Sequence, residues 1–261
     1  MSNKILLSKM TWPEVKERLK ETDMVIIPIG SIEQHGPALP LNTDTYIAYM
    51  IAKKVAKKVA KDIKPVIAPP IYFGFSDHHM DFPGTISINE DTLANLIIDI
   101  CKSLAKHGFR KIIILNGHGG NHAAIHRAMY ELKRERNIFI AFVDIFNIVA
   151  DIAKNIFQPP IYHADDYETS VVMALGQNVK KEKLVKEVAH TKIPKFIKID
   201  FLAPPPLVKI PVYLKEFTES GIIGDPTKAS KEKGEKIVEA IIKRLVDFLR
   251  ELKQIKIENP L

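Results

Sequence analysis

A chain of 261 residues with 46% hydrophobic and 26% charged residues has the composition of a globular protein large enough to bury a substantial core. No stretch approaches the roughly 18 apolar residues that a membrane span requires. The net charge of +7 comes mostly from lysines on predicted helix faces, with no basic patch among aromatic residues, so a nucleic-acid-binding protein is not expected; an anionic substrate is compatible with this charge.

Strands and helices alternate along the sequence, which predicts an α/β fold with a mostly parallel sheet. In chain order we predict a helix from about Thr11 to Glu21, a strand over Met24–Ile29, a helix over Thr45–Val59, a strand over Val66–Ala68, a helix from Asn89 or Asp91 to Ala105, a strand over Lys111–Leu115, a helix from about His122 to Arg136, a strand over Ile138–Asp144, a helix over Tyr167–Leu175 and a helix over Lys228–Leu252. The sequence shows no internal repeat and no clear boundary, so residues 1–261 are expected to form one domain.

Three polar clusters follow predicted strands. They are Glu33, His35 and Asp44; Ser76, Asp77, His78 and His79; and Asn116, His118 and Asn121. Because ligands of parallel α/β folds gather at the carboxyl edge of the sheet, this arrangement predicts a site there. Carboxylate and imidazole groups suit zinc, manganese or iron, and a bridging carboxylate would hold two such ions, which can generate a bound hydroxide at neutral pH.

Each cluster also has a purely structural interpretation. The first would cap and hydrogen-bond a surface loop, and Asn116–Gly120 would form a plain tight turn. The glycines around His118 equally allow the backbone to approach a ligand closely. The motif is not a phosphate loop, because it lacks the Gly-Lys-Ser/Thr ending.

A fourth cluster runs from His163 to Ser170 and opens a predicted helix. Asp165 or Asp166 would cap this helix, and Glu168 would then be an ordinary surface residue. His163 also fits a chemical role, because a neutral imidazole beside a metal-bound water can shuttle protons. His122 and His126, one helical turn apart, rank lower, as groups outside the ligand set.

The cellular setting is predicted from the cysteine content and the N-terminus. The single cysteine, Cys101, excludes an internal disulfide and fits an intracellular protein that binds metal through His and carboxylate groups. Residues 1–12 do not resemble a signal peptide, so a cytoplasmic location is expected. Enrichment in Lys, Glu and Ile together with 17 prolines suggests a thermophilic origin.

Five ordered motifs span about residues 25–235. They are Gly30–Pro37 with Thr43-Asp44; Ser76–His78 with Phe82–Thr85; Asn116–Asn121; His163-Ala164 with Glu168–Ser170; and Gly224–Thr227. In this order the motifs resemble those of the creatininase (creatinine amidohydrolase) family. They are specific for the family and much less specific for the substrate.

The resemblance implies a three-layer αβα sandwich and a dinuclear metal hydrolase, commonly assembled as a homohexamer. The implied metal ligands are Glu33, His35, Asp44, His118 and Glu168. Asp44 is the expected bridge between two divalent ions, which would be zinc, manganese or iron.

The implied reaction is attack of a metal-bound hydroxide on an amide, cyclic amide or formamide carbonyl of a small molecule. His163 would transfer the proton to the leaving nitrogen. The residues expected to face the substrate are Ser76, Gly119, Gly120 and Asn121.

The sequence departs from the creatinine-cleaving members at three places. Those members carry a tryptophan shortly before the position of His163, where this chain reads Phe157–Tyr162, and a glutamate at the position of Gly120. Asp165 replaces the usual glycine. These departures argue against creatinine and assign a ligand role to Glu168.

Three interpretations remain open at the level of sequence. The archaeal branch of the family includes an iron-dependent deformylase of a formamidopyrimidine ribonucleotide, and the basic composition is compatible with that substrate. The alternatives are a creatinine amidohydrolase, or a metal-stabilised binding or scaffold protein without catalysis.

Overall fold

Four parallel strands form the centre of the fold in the computed structural model, which describes residues 5–134, 138–188, 200 and 210–257. The strands are β1 (Met24–Ile29), β2 (Val66–Ile67), β3 (Lys111–Asn116) and β4 (Phe139–Asp144), arranged in the order β2-β1-β3-β4. Every strand pair is parallel, which confirms the predicted sheet. The α-helices of the described residues are α1 (Trp12–Arg18), α2 (Thr43–Lys58), α3 (Glu90–His107), α4 (His122–Lys133), α5 (Ala150–Ala153), α6 (Asp166–Leu175) and α7 (Lys231–Gln254).

The sheet is covered on both faces, because successive strand side chains point to opposite sides. Met24 and Ile26 of β1 pack in a core with α2, α6 and α7. Val25 and Ile27 of the same strand pack in a second core with α3 and α4. All six residues of β1 are buried, as expected for a strand between two helical layers. The described residues therefore show the predicted three-layer arrangement.

Helix ends differ from the predictions where local hydrogen bonds decide them. Helix α2 begins at Thr43 rather than Thr45, because the Thr43 hydroxyl donates to the Pro40 carbonyl (2.7 Å) in a turn that starts the helix early. Helix α7 begins at Lys231 rather than Lys228, because a short 3-10 helix, Pro226–Lys228, precedes it and Ser230 caps it. The predicted end of the fourth helix at Arg136 lies outside the described residues.

The remaining predicted helices begin within a residue or two of their sequence signals, although α1 ends at Arg18 rather than at about Glu21. Asn89 caps α3 by accepting a hydrogen bond from the Asp91 amide (2.8 Å), and Gly108 ends it in the left-handed conformation. The sequence does not predict α5, because four residues show too little periodicity. None of the helices in the described ranges is long and apolar enough to cross a membrane.

Close packing at the carboxyl edge of the sheet places the start of α2 directly over β1 and β3. A Cβ atom at Gly30 would lie less than 3.0 Å from the Thr45 backbone. A Cβ atom at Gly117 would lie less than 3.0 Å from the Asp44 carbonyl oxygen. Glycine is therefore required after both strands. This packing carries Asp44, in the first turn of α2, to the ends of two neighbouring strands.

Candidate metal centre

The predicted metal ligands lie together at the carboxyl edge of the sheet. Two sets of donor atoms can each hold an ion, with all atoms of a set within 4.8 Å of one another. The sets are Glu33, Asp44 and His118, and His35, Asp44 and Glu168. Asp44 belongs to both sets, as expected of a bridging carboxylate. A third set combines Glu33 and His35 with His163.

The first set is held by short polar contacts. Nε2 of His118 lies 3.2 Å from Oε2 of Glu33, and Nδ1 of the same ring lies 3.2 Å from Oδ2 of Asp44. The Ser76 hydroxyl donates to Oε2 of Glu33 at 2.6 Å. Burial by itself would raise the pKa of Glu33, but the imidazoles of His118 and His79 hold it well below its usual range.

The second set is organised around His35. Its Nδ1 donates to the Glu33 carbonyl oxygen (3.1 Å), so Nε2 is directed towards Oδ1 of Asp44 (2.9 Å) and Oε2 of Glu168 (3.9 Å). Burial would lower the pKa of His35, but Asp44 and the other carboxylates outweigh it and raise the pKa to about 10. Burial alone would also lower the pKa of His118, but Glu33 and Asp44 outweigh this effect, and the pKa lies well above the ordinary value.

The donor set fits divalent cations. Glu33, Asp44 and Glu168 are each at most 7% exposed, and burying three carboxylates together is costly unless positive charge is added. Oδ2 of Asp44 is buried and has no well-aligned hydrogen bond among the described residues, although Nδ1 of His118 lies 3.2 Å away. Carboxylate oxygens with imidazole nitrogens are a common donor set for first-row divalent ions.

Glu168 reaches the cluster from the first turn of α6. Asp165 caps this helix by accepting a hydrogen bond from the Glu168 amide (3.0 Å), and the Ala164 amide donates to Oε2 of Glu168 (2.5 Å). Burial raises the pKa of Glu168 to about 8. Asp166 pairs instead with Lys233 (2.6 Å), so its contacts are structural.

His163 is held in one orientation beside the cluster. Its Nε2 donates to the Gln34 carbonyl oxygen (2.8 Å), so in the neutral ring Nδ1 carries the lone pair; Nδ1 lies 3.9 Å from Oε1 of Glu33. Burial and the neighbouring His35 lower the pKa of His163 to about 3. The ring is therefore neutral near pH 7, as a proton acceptor must be.

The comparisons with known proteins agree with this geometry. The sequence profile of the creatininase family, described as creatinine amidohydrolase, matches residues 8–249. The chain belongs to the creatininase family. The family predicted from the motifs is thus confirmed, and so is the class of hydrolase that it implies.

Relatives of this creatininase-family protein carry different activities. The mycofactocin precursor peptide peptidase of Mycolicibacterium smegmatis is 33% identical over 235 residues, which cover 87% of this chain and 84% of that protein. The 3-dehydro-scyllo-inosose hydrolase of Thermotoga maritima is 29% identical over 266 residues, with coverages of 95% and 83%. The 2-amino-5-formylamino-6-ribosylaminopyrimidin-4(3H)-one 5'-monophosphate deformylase of Methanobrevibacter ruminantium is 29% identical over 153 residues, 58% of each chain.

Solved creatininase structures share the fold. The crystal structure of creatinine amidohydrolase superposes with a TM-score of 0.79 at 25% identity, covering 97% of this chain and 99% of that one. A manganese form of creatininase superposes with a TM-score of 0.78, also at 25% identity, covering 96% of this chain and 99% of that one. Metal binding in this family therefore agrees with the donor sets found here.

The residues predicted to face the substrate have clear positions in this creatininase-family protein. Gly119 and Gly120 line a cavity of about 450 Å³ beside the metal ligands. Ser76 is fully buried against Glu33. The Asn121 side chain donates to the Gly30 carbonyl oxygen and accepts from the Phe75 amide, both at 3.0 Å. Substrate contact by these four residues stays a prediction.

Gly120 explains one departure from the creatinine-cleaving members. A Cβ atom there would approach the Phe75 carbonyl oxygen and Nε2 of His118 to less than 3.0 Å. No larger residue fits this backbone. The glutamate of those members has no room here, which is consistent with a ligand role for Glu168.

Two buried residues of the site have no assigned role in the sequence interpretation. His79 lies in the second polar cluster, and its Nε2 is 3.3 Å from Oε1 of Glu33. Gln34 lies between two predicted ligands, and its amide contacts His79 (2.9 Å). Adjacent histidines such as His78 and His79 look alike in sequence, and only the short 3-10 helix at Asp77–His79 decides which is buried.

The cavity also has a polar wall away from the ligands. His122, at the start of α4, pairs with Asp144 at the end of β4 (2.6 Å). Both residues line the cavity, whereas neither His122 nor His126 belongs to the donor sets among the described residues. This matches their lower rank in the sequence interpretation.

Proposed function

We propose that the protein is a dinuclear metal amidohydrolase that cleaves an amide, cyclic amide or formamide bond of a small molecule. The observation that carries the proposal is the pair of donor sets sharing Asp44 beside a cavity of substrate size. The proposed ligands are Glu33, His35, Asp44, His118 and Glu168. In this proposal residues 1–261 form one hydrolase domain, supported by a family profile that spans residues 8–249.

When bound, the two ions would supply a nucleophilic hydroxide and draw charge from the substrate carbonyl. His163 would accept at Nδ1 a proton from the attacking water and deliver it to the leaving nitrogen, since its Nε2–H is held by the Gln34 backbone carbonyl. Gly119 and Gly120 leave the cavity wall free of side chains, so a flat substrate can approach the ligands.

The substrate that we propose first is a formamidopyrimidine ribonucleotide, from which the enzyme would remove formate. The support is the similarity to a deformylase over 58% of the chain and the net charge of +7, which suits an anionic substrate. Creatinine is less favoured, because Gly120 and Phe157–Tyr162 replace residues of the creatinine-cleaving members.

The experiment combines metal analysis with a substrate panel. Purified protein is loaded anaerobically with zinc, manganese or ferrous iron and assayed with the formamidopyrimidine ribonucleotide, with creatinine and with short peptides, the last because of the peptidase relative. We expect two ions per chain and turnover of the ribonucleotide. Asp44→Ala should lose both metal and activity; full metal content and activity in that variant would refute the proposal.

The alternative of a metal-stabilised scaffold without catalysis has a separate test. His163 does not belong to the two sets that share Asp44, so His163→Ala should retain both ions and lose turnover. His107→Ala is the control, because His107 is exposed at the end of α3. A wild-type protein that binds two ions and turns over no compound in the panel would favour the scaffold.

We also propose that the protein is cytoplasmic and forms a homo-oligomer. Several large apolar side chains are 43–51% exposed and offer a surface for a second copy: Tyr72, Phe73, Met80 and Ile86. Light scattering of the purified protein tests the oligomer, and a monomer at micromolar concentration would contradict it.

A further inference from the structure

His79 is a buried histidine that the proposed mechanism does not use. It is 2% exposed, and its ring lies 4.4 Å from that of His163. Among the described residues it belongs to none of the donor sets that can hold a metal ion. Its ring nitrogens instead contact Gln34 on one side and Glu33 on the other.

The backbone fixes the orientation of the Gln34 amide. The Gly36 N–H donates to Oε1 of Gln34 at 2.8 Å, so this atom is the carbonyl oxygen. The other terminal atom, Nε2, is therefore the amide nitrogen. It donates to the Gly221 carbonyl oxygen at 3.0 Å, which accepts and cannot donate. Both contacts give the same assignment.

This orientation determines the tautomer of His79. Nε2 of Gln34 lies 2.9 Å from Nδ1 of His79, and an amide nitrogen only donates. Nδ1 must accept, so the proton of the neutral ring is on Nε2. That N–H faces Oε1 of Glu33 at 3.3 Å. Two hydrogen bonds and one close polar contact thus connect the Gly221 backbone, through Gln34 and His79, to a carboxylate of the metal centre.

We propose that His79 is a positioning residue that holds Oε1 of Glu33 and leaves Oε2 to bind the ion shared with Asp44 and His118. The inference rests on the proposed metal centre. Oε2 already faces that side, since it lies 3.2 Å from Nε2 of His118. With Oε1 held by His79, Glu33 would bind through Oε2, to which the Ser76 hydroxyl also donates, and would leave a coordination position open for water or substrate.

The first test measures zinc affinity by competition with a chromophoric chelator, and it does not require a substrate. Loss of an outer hydrogen-bond partner typically weakens metal binding about 10–100-fold. We expect His79→Leu to lower the affinity for one of the two zinc ions by about that factor. His79→Gln retains an N–H near the Nε2 position and should restore most of the affinity. His107→Leu makes the same change at an exposed site and should have no effect.

The second test is spectroscopic and uses the wild-type protein, so it decides the question even if His79→Leu does not fold. Nitrogen NMR of histidine-labelled, metal-loaded protein should show the His79 ring protonated at Nε2 and unprotonated at Nδ1. A ring protonated at Nδ1, or unchanged zinc affinity in folded His79→Leu, would overturn the proposal. If His79→Leu weakens zinc binding as expected but the wild-type protein turns over no substrate, the proposed function alone would be refuted.

Discussion

Metal binding should displace protons from the ligand cluster. In the metal-free protein the carboxylates are balanced by protons: the pKa of His35 is raised to about 10, that of His118 lies well above its ordinary value, and that of Glu168 is about 8. All three groups therefore carry a proton at pH 7. Each must lose it before it can bind an ion, because a metal ligand needs a free lone pair.

The magnitude follows from these pKa values. At pH 7 the two ions should release about three protons per chain, one from each group. For His35, whose pKa is about three units above the pH, removing the proton costs about 4 kcal/mol of binding free energy, and for Glu168 about 1 kcal/mol. Zinc affinity should therefore rise steeply between pH 6 and pH 8.

Calorimetry measures the release directly. Zinc is titrated into metal-free protein in two buffers with different heats of protonation, and the difference in heat gives the number of protons. At pH 9 Glu168 is already ionised, so the count should fall by about one, whereas His35 still contributes. Water ligands that ionise can only add to the count. A heat of binding that is the same in both buffers at pH 7 would refute the reasoning.

Three further predictions follow from single contacts. Gly120→Ala places a Cβ against the Phe75 carbonyl and should cost about 1–3 kcal/mol of unfolding free energy in a urea titration, with weaker zinc binding because His118 must move; unchanged stability would contradict the packing. Asp165→Asn retains the helix cap but removes a buried carboxylate whose pKa burial raises to about 7. Because Asp165 contributes stability below pH 3.8 that is lost as the pH rises to about 7, the metal-free variant should become more stable than wild type above pH 7, by a few kcal/mol in thermal unfolding; equal pH profiles would contradict this. In metal-loaded enzyme, activity lost on acidification should parallel zinc loss, because His163 stays neutral down to a pKa of about 3; inactive protein with full zinc content at pH 5 would show otherwise.

Much of the fold follows from local sequence signals. The run from Met24 to Ile29 is apolar throughout, which identifies a strand buried on both faces, and the structure has the same bounds. Because all strands are parallel, the polar groups that follow them meet at one edge. Glu33 and His118, which are 85 positions apart, are therefore predictable neighbours.

What sequence could not predict depends on contacts between distant segments. Asp44 was expected in a loop and lies in a helix, because Gly30 and Gly117 let the start of α2 pack against two strand ends. No pattern near Asp44 shows this. The position of the His79 ring depends on Gln34, and the orientation of Gln34 depends on Gly221, far along the chain. Such a chain of contacts leaves no periodic signal in the sequence.

Gln34 shows how one side chain and its own backbone organise the centre between two ligands. Its backbone carbonyl oxygen accepts from Nε2 of His163, which leaves the lone pair on Nδ1, 3.9 Å from Oε1 of Glu33. Its side-chain amide nitrogen donates to Nδ1 of His79, so the proton of that ring is on Nε2 and faces Glu33. Both rings thus receive the same tautomer, protonated at Nε2, but they present opposite nitrogens to Glu33: His163 presents the Nδ1 lone pair, which can accept a proton, and His79 presents the Nε2–H, which can hold a carboxylate. Because the Gly36 and Gly221 backbones orient that amide, the position of the proton on His79 depends on the fold.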